Sequence, residues 1–318
     1  MTDPGQLITF IPHLFGYYPI DSIVVLALDD DRIDFGLRTD CPAEPGLYPL
    51  AAVTLADQIG MREGARAVAV VVATPTDDHV LARQLRTKFT EAGVPLRLFG
   101  VPAIIHGARW FDYDDAEHHG HLPDPTTSVF AVRAVAKGLV TLPSREALEA
   151  QLAPDLENVL ARRAALLHTL HHDQPQETEP TPGDQVDWIR HHYLDRIAGG
   201  DETFTDTDIV QVGHALSRLD VRDECLSLLF GPHAAAAEKL WVILTRQCPP
   251  PACAEAATLL AFSAYLRGDG TLAAIAIARA LTVHPEHRLA CLLRDALDRG
   301  LRPAQLHDLI TSSTDDIV

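Results

Sequence analysis

The chain has 318 residues, 47% of them apolar and 22% charged, which excludes a disordered or fibrous protein and leaves material for about two domains. Twenty-six basic against 44 acidic side chains give a net charge of −18 with neutral histidines, a field of the wrong sign for displacing phosphate counterions. A nucleic-acid partner is therefore not expected.

The start (Met-Thr-Asp-Pro-Gly-Gln) lacks a basic segment leading into an apolar core, so no secretory signal is read there. The longest apolar runs are strand-sized, well short of the roughly 20 residues that span a bilayer. A cytoplasmic protein that does not enter a membrane is expected. Five cysteines, an odd number with no Cys-x-x-Cys, read as reduced thiols rather than a disulfide framework or zinc site.

Residues 22–28 (Ser-Ile-Val-Val-Leu-Ala-Leu) form a continuous apolar run, and residues 32–40 alternate with period two. Joined by Asp29-Asp30-Asp31, they predict a hairpin of one buried and one half-exposed strand. Helical periodicity follows over 47–60. Residues 66–74 (Arg-Ala-Val-Ala-Val-Val-Val-Ala-Thr) predict the best-buried strand of the chain. A Thr or Asp of Thr76-Asp77-Asp78 then caps a helix over 79–92, Gly93-Val-Pro ends it, and 96–101 returns as a strand. That succession predicts a right-handed parallel crossover, so residues 1–143 read as an α/β domain with a mixed sheet.

Ser144 reads as the cap of connecting helices over 144–170, interrupted at Pro154. Residues 171–186 are polar, acidic and proline-rich and read as a flexible linker. From 187 to 318 every periodicity is helical, predicting an all-α domain with helices near 187–198, 206–219, 221–230, 234–247, 252–267, 271–283, 287–299 and 303–311. Within it Ala261, Ala273, Ala280 and Pro285 fall at the offsets of a tetratricopeptide-type hairpin, with Gly268-Asp-Gly270 as the turn. One unit matches and Tyr265 is one place out of step, so a generic array of α-hairpins fits equally well.

The segment Pro12-His-Leu-Phe-Gly-Tyr-Tyr-Pro-Ile-Asp-Ser-Ile-Val-Val-Leu26 resembles the opening signature of an actinobacterial family, a domain of unknown function. The resemblance continues through Gly107-Ala-Arg-Trp-Phe-Asp-Tyr113, Leu142-Pro-Ser-Arg-Glu-Ala-Leu148 and Leu260-Ala-Phe-Ser-Ala-Tyr-Leu-Arg-Gly-Asp-Gly270. It implies no particular activity. Similar chains often carry cysteines after the aromatic block, where this one has residues 114–121 without any, so no thiolate role carries over.

Three polar constellations are candidate sites. The segment 112–124 gathers carboxylates and imidazoles, of which Asp112, Asp114, His119 and His121 could bind a divalent metal. In an extended chain His119 and His121 share a side and His118 faces away. The structural alternative is a solvated acidic loop. Asp21 and Ser22 precede the first strand and could be catalytic, but no Gly-x-Ser-x-Gly elbow surrounds the serine, and His13 is the one histidine near it in sequence. A turn tied by Gly16, Pro19 and these side chains explains them as well. Asp77 and Asp78 lie at the carboxyl end of the best strand, where open α/β sheets bind ligands, yet a helix cap accounts for them too. Trp110 and Tyr113, with Tyr265 in the helical half, are candidate binding aromatics, core packing being the alternative.

Phosphate-loop and dinucleotide fingerprints are missing, and the three lysines (Lys88, Lys137, Lys239) adjoin no obvious nucleophile. The leading expectation is a non-catalytic interaction or regulatory protein, without a cofactor, that binds a protein partner through its helical domain. Two alternatives stand beside it. One is a metal-dependent hydrolase combining the 112–121 segment with Asp77, Asp78 or Asp21; the other is a small-molecule sensor at the carboxyl edge of the sheet.

Overall fold

A computed structural model describes residues 3–29, 32–61, 64–73, 78–128, 131–132, 140–173 and 180–307. Asp30 and Asp31 of the expected turn and residues 74–77 thus lie outside the described residues, as does the end of the helix expected over 303–311. The chain divides into two compact units, Met1–Leu148 and Glu149–Val318.

The first unit is built on a six-stranded mixed sheet of order β2-β1-β3-β4-β5-β6. Its strands are β1 (Ser22–Asp29), β2 (Arg32–Asp40), β3 (Arg66–Val72), β4 (Leu96–Val101), β5 (Arg109–Asp112) and β6 (His119–His121). β1 pairs antiparallel with both β2 and β3, which explains its unbroken apolar run: it is central and covered on two faces. β3 and β4 form the parallel pair, joined through α3 (His79–Glu91) as the strand–helix–strand spacing predicted.

Strand parity assigns the faces. Ile23, Val25, Ala67, Ala69, Val71 and Leu98 pack with Ala52, Leu55 and Ile59 of α2 (Tyr48–Gly60) and Leu81, Leu85 and Phe89 of α3. The opposite face meets α1 (Pro4–Phe15), whose Leu14 and Phe15 lie over Gly36 beside Leu26. The sequence pattern did not single out α1, because Pro12 sits inside it. Asp3 caps its first turn by accepting from the Gly5 N–H, Pro4 occupies the start, and left-handed Gly16 (φ 76°) ends it.

Two strand glycines make room for rings. A Cβ on Gly100 would stand 2.4 Å from the Phe111 ring, its cross-strand neighbour, and one on Gly120 would stand 3.0 Å from the Trp110 indole. Each ring fills the space that its partner leaves.

Ser144 caps α4 (Arg145–Ala150) by accepting from the Ala147 N–H at 3.2 Å, and the chain restarts beyond Pro154 as α5 (Glu157–Asp173). α5 belongs to the second unit: Arg162 and Arg163 both pair with Asp206 on α8 (Asp206–Leu216). Helices reach into both ends of the stretch expected as a linker. α5 runs to Asp173, and α6 (Pro182–Ile189) opens with a capping box in which Thr181 and Asp184 bond each other's backbone. Residues 174–179 of that stretch lie outside the described residues.

Every named element of the second unit among its described residues is helical. After α6 comes a π-helical turn over Arg190–Leu194, then α7 (Asp195–Ala198), α8, α9 (Leu219–Glu224), α10 (Ala234–Gln247), α11 (Ala252–Leu266), α12 (Gly270–Val283) and α13 (Arg288–Asp298). α11 is its centre, nearly every residue buried, packed against both α10 and α12. Alanines permit the close approach: Ala254, Ala257, Ala280 and Ala290 share one cluster. No helix among the described residues is long and apolar enough to cross a membrane.

Candidate functional site

Beyond the carboxyl end of β3, Asp78 opens α3 and takes three hydrogen bonds. Its Oδ1 accepts the N–H groups of Val80 and Leu81, both at 2.9 Å, and its Oδ2 accepts the Tyr48 hydroxyl. Burial pushes the Asp78 carboxyl up, but those three donors outweigh it and hold the group below the usual carboxylate range. The same bond to Asp78, with burial, raises the Tyr48 hydroxyl to about 12. Asp78 is thus a helix cap with both carboxylate oxygens engaged. Asp77 lies outside the described residues.

Asp21 adjoins this cluster through its backbone: at φ 41° its carbonyl accepts the Cys41 N–H at 2.7 Å. Positive φ is tolerated better by aspartate than by most residues. Burial, then the charges of Asp78 and Asp21, raise the Cys41 thiol, so it is held as a thiol rather than a nucleophilic thiolate. Ser22 is fully buried, its Oγ donating to the Ile20 carbonyl at 2.6 Å and accepting from Arg38 Nε at 2.9 Å. His13 serves elsewhere, with Nδ1 on Thr141 Oγ1 at 2.8 Å and Nε2 on the Pro125 carbonyl at 3.0 Å. No serine–histidine pair arises at Ser22.

The second constellation sits on the β5–β6 hairpin, on the face that α1 covers. Phe111 pairs with His119 and Trp110 with Gly120, so Asp112 stands opposite His118. Asp112, only 7% exposed, accepts from His118 Nδ1 at 3.0 Å, from Arg97 at 3.2 Å and from the Asp114 N–H at 2.9 Å. Arg97 lies over the Phe99 ring at 5.0 Å, and the His118 ring meets the Trp110 indole at 5.1 Å. The carboxylate orients the imidazole and directs Nε2 away from itself, the geometry of an oriented base.

The four residues expected as a metal set are not brought together. His119 and His121 are exposed and lie on the opposite side of the hairpin from Asp112, while Asp114 pairs with Arg86 at 2.7 Å. Alternation along one strand placed His118 away from its neighbours correctly, but pairing across the hairpin makes His118 the partner of Asp112. The three candidate aromatics sit in or against packed cores. Trp110 is buried in the sheet, and Tyr265 is 4% exposed, its hydroxyl donating to the Ala296 and Leu301 carbonyls at 3.1 and 2.8 Å. Tyr113 is half-buried, its ring 4.8 Å from Phe111 and 5.9 Å from His79. Core packing explains all three. Among the described residues, the one group of three or more metal-type ligands is Glu255, His284 and His287 in the helical unit, a set that sequence spacing did not single out.

Asp112 makes a pH-dependent contribution to stability. Burial alone would raise its carboxyl, but His118, the Asp114 N–H and Arg97 hold it below the usual value. A folded value below the unfolded one near 3.9 means that this stabilisation is complete above about pH 5 and is lost as pH falls through the depressed folded value. The melting temperature of Asp112→Asn is therefore expected to depend less on pH below pH 5 than that of the parent. Parallel acid slopes in a thermal-unfolding series would refute the assignment.

An α/β sheet unit followed by an all-helical unit defines the class of protein, and comparison with known families makes it more specific. Residues 4–304 match the model of the family described as "Domain of unknown function (DUF4192)", and the chain belongs to that family. No curated protein and no solved structure matches it.

Proposed function

We propose that the chain is a non-catalytic interaction protein whose helical unit recognises a protein partner. The observation that carries this reading is that the catalytic candidates are spent on structure. Ser22 has donor and acceptor engaged, Asp78 caps α3, and Asp112 holds three donors. Asp78 and Asp112 also face opposite sides of the sheet, so they do not build one pocket. The helical unit, by contrast, carries exposed leucines on three of its helices, Leu166 on α5, Leu219 on α9 and Leu292 on α13. A cytoplasmic setting accords with the free thiols of all five cysteines.

The test uses the full-length chain, captured from its native cells after crosslinking. One stoichiometric protein is expected, lost when Leu166, Leu219 and Leu292 are changed to glutamate and kept by His118→Ala. The competing hydrolase reading has the oriented His118 in its favour and expects the reverse. If His118→Ala abolishes the cellular function while the helical substitutions leave it intact, the interaction reading is wrong.

A further inference from the structure

We propose that Glu255, His284 and His287 form a binding site for a first-row transition-metal dication, Zn²⁺ in the first instance, at the turn between α12 and α13. The inference does not depend on the interaction reading above. One donor atom from each residue lies within 4.8 Å of the other two. His287 Nε2 and Glu255 Oε2 are 3.0 Å apart, close to the roughly 3.3 Å between donors of a tetrahedral site with 2.0–2.1 Å bonds. His284, the exposed member, stands at the rim of the set.

The backbone holds the two imidazoles near each other in advance. His284-Pro-Glu-His287 is a tight turn in which the His287 N–H donates to the His284 carbonyl at 3.0 Å, with Pro285 at the position a type I turn favours. The rings lie 5.4 Å apart at 79°, so they do not stack face to face. Glu255 enters from the first turn of α11. Its Oε2 also accepts from Arg222 at 2.8 Å, and Arg222 Nε donates to Asp223 at 2.7 Å. Asp223 thus offsets the guanidinium charge. Arg222 plays the part of the outer hydrogen-bond donor that steadies a ligating carboxylate.

Two imidazoles and one carboxylate suit zinc and its neighbours, whereas magnesium and calcium prefer oxygen ligands. Three protein ligands leave a fourth position for water. Without metal, His287 Nδ1 accepts the Ala290 N–H at 3.2 Å, so Nε2 carries the proton shared with Glu255. Binding at Nε2 forms the metal–nitrogen bond and moves that proton to Nδ1. The ring stays neutral, and the bond from Ala290 is lost.

The experiment uses the full-length, untagged chain, stripped of metal and titrated with zinc chloride by calorimetry and thermal unfolding. One ion per chain with micromolar or tighter affinity is expected, together with a higher melting temperature that magnesium chloride does not reproduce. His284→Ala, an exposed change outside the core, should keep the helical circular dichroism and weaken zinc binding at least tenfold. Long-range ¹H–¹⁵N spectra should show the His287 proton move from Nε2 to Nδ1. The proposal is overturned by a folded chain that takes up no stoichiometric zinc. It is equally overturned if zinc affinity is the same in His284→Ala, or if magnesium matches zinc in a His284-dependent way.

Discussion

Replacing Arg163 with alanine is expected to destabilise the helical unit by about 3–5 kcal/mol, the range for breaking a buried ion pair by removing one partner. Arg163 is 6% exposed. Its Nη1 donates to Asp155 at 2.8 Å and to the Gln247 carbonyl at 2.9 Å, while Nε donates to Asp206 at 2.8 Å. One guanidinium therefore joins the segment before α5, the start of α8 and the end of α10. Alanine would leave the Asp155 carboxylate and the Gln247 carbonyl without that donor and open a void beside them. Asp206 is less affected because Arg162 also reaches it. Lysine should not rescue the loss, since one ammonium cannot reproduce the planar fork that serves three acceptors. Urea unfolding followed by amide exchange of α11 measures the effect. A loss below about 1 kcal/mol would show that the network is incidental.

Phe89→Ala should have a comparable effect on the sheet unit, about 3–5 kcal/mol, for a different physical reason. Phe89 is fully buried on the face of α3 that also carries Leu81, Ala82 and Leu85. It packs in one cluster with Ile59, Val94 and Leu98, tying α2, α3 and the sheet together. The main chain is committed as well, because the Phe89 carbonyl accepts the Val94 N–H at 2.9 Å and closes the turn into β4. Alanine would remove the ring from a close-packed interior that relaxes only in part, so a cavity term adds to the lost burial. Phe89→Leu should lose much less. Exchange of the β3 amides reports the change, and equal losses for alanine and leucine would contradict the cavity argument.

Much of the fold was legible because burial writes itself into local patterns. The apolar run of β1, the strand β3 within the expected 66–74, the crossover through α3 and the limits of α10 all follow from periodicity and caps over about a dozen residues. Elements were misjudged where one local signal masked another. Pro12 disguised α1, and the prolines and acids before Val186 hid the capping box that starts α6. Both are cases in which a helix-breaking composition is compatible with a helix end.

The candidate sites were legible only in part. Asp78 as a cap could be read from its place before a helix, but its bond to Tyr48 depends on α2 and α3 lying side by side. Asp112 stood out as part of an acidic, histidine-rich segment. Which histidine it meets was set by hairpin register, and a shift of one residue would have presented another.

The fold class, a mixed sheet followed by helices, and most of the strands and helices were thus legible in the amino-acid order alone, since they depend on interactions among near neighbours. The partners of these side chains were decided by tertiary structure: His118 beside Asp112, Tyr48 on Asp78, and Glu255 against His287 from a helix 32 residues earlier. Hydrogen bonds and ligand geometries act over about 3 Å, and chain spacing does not encode such distances until packing brings the segments together.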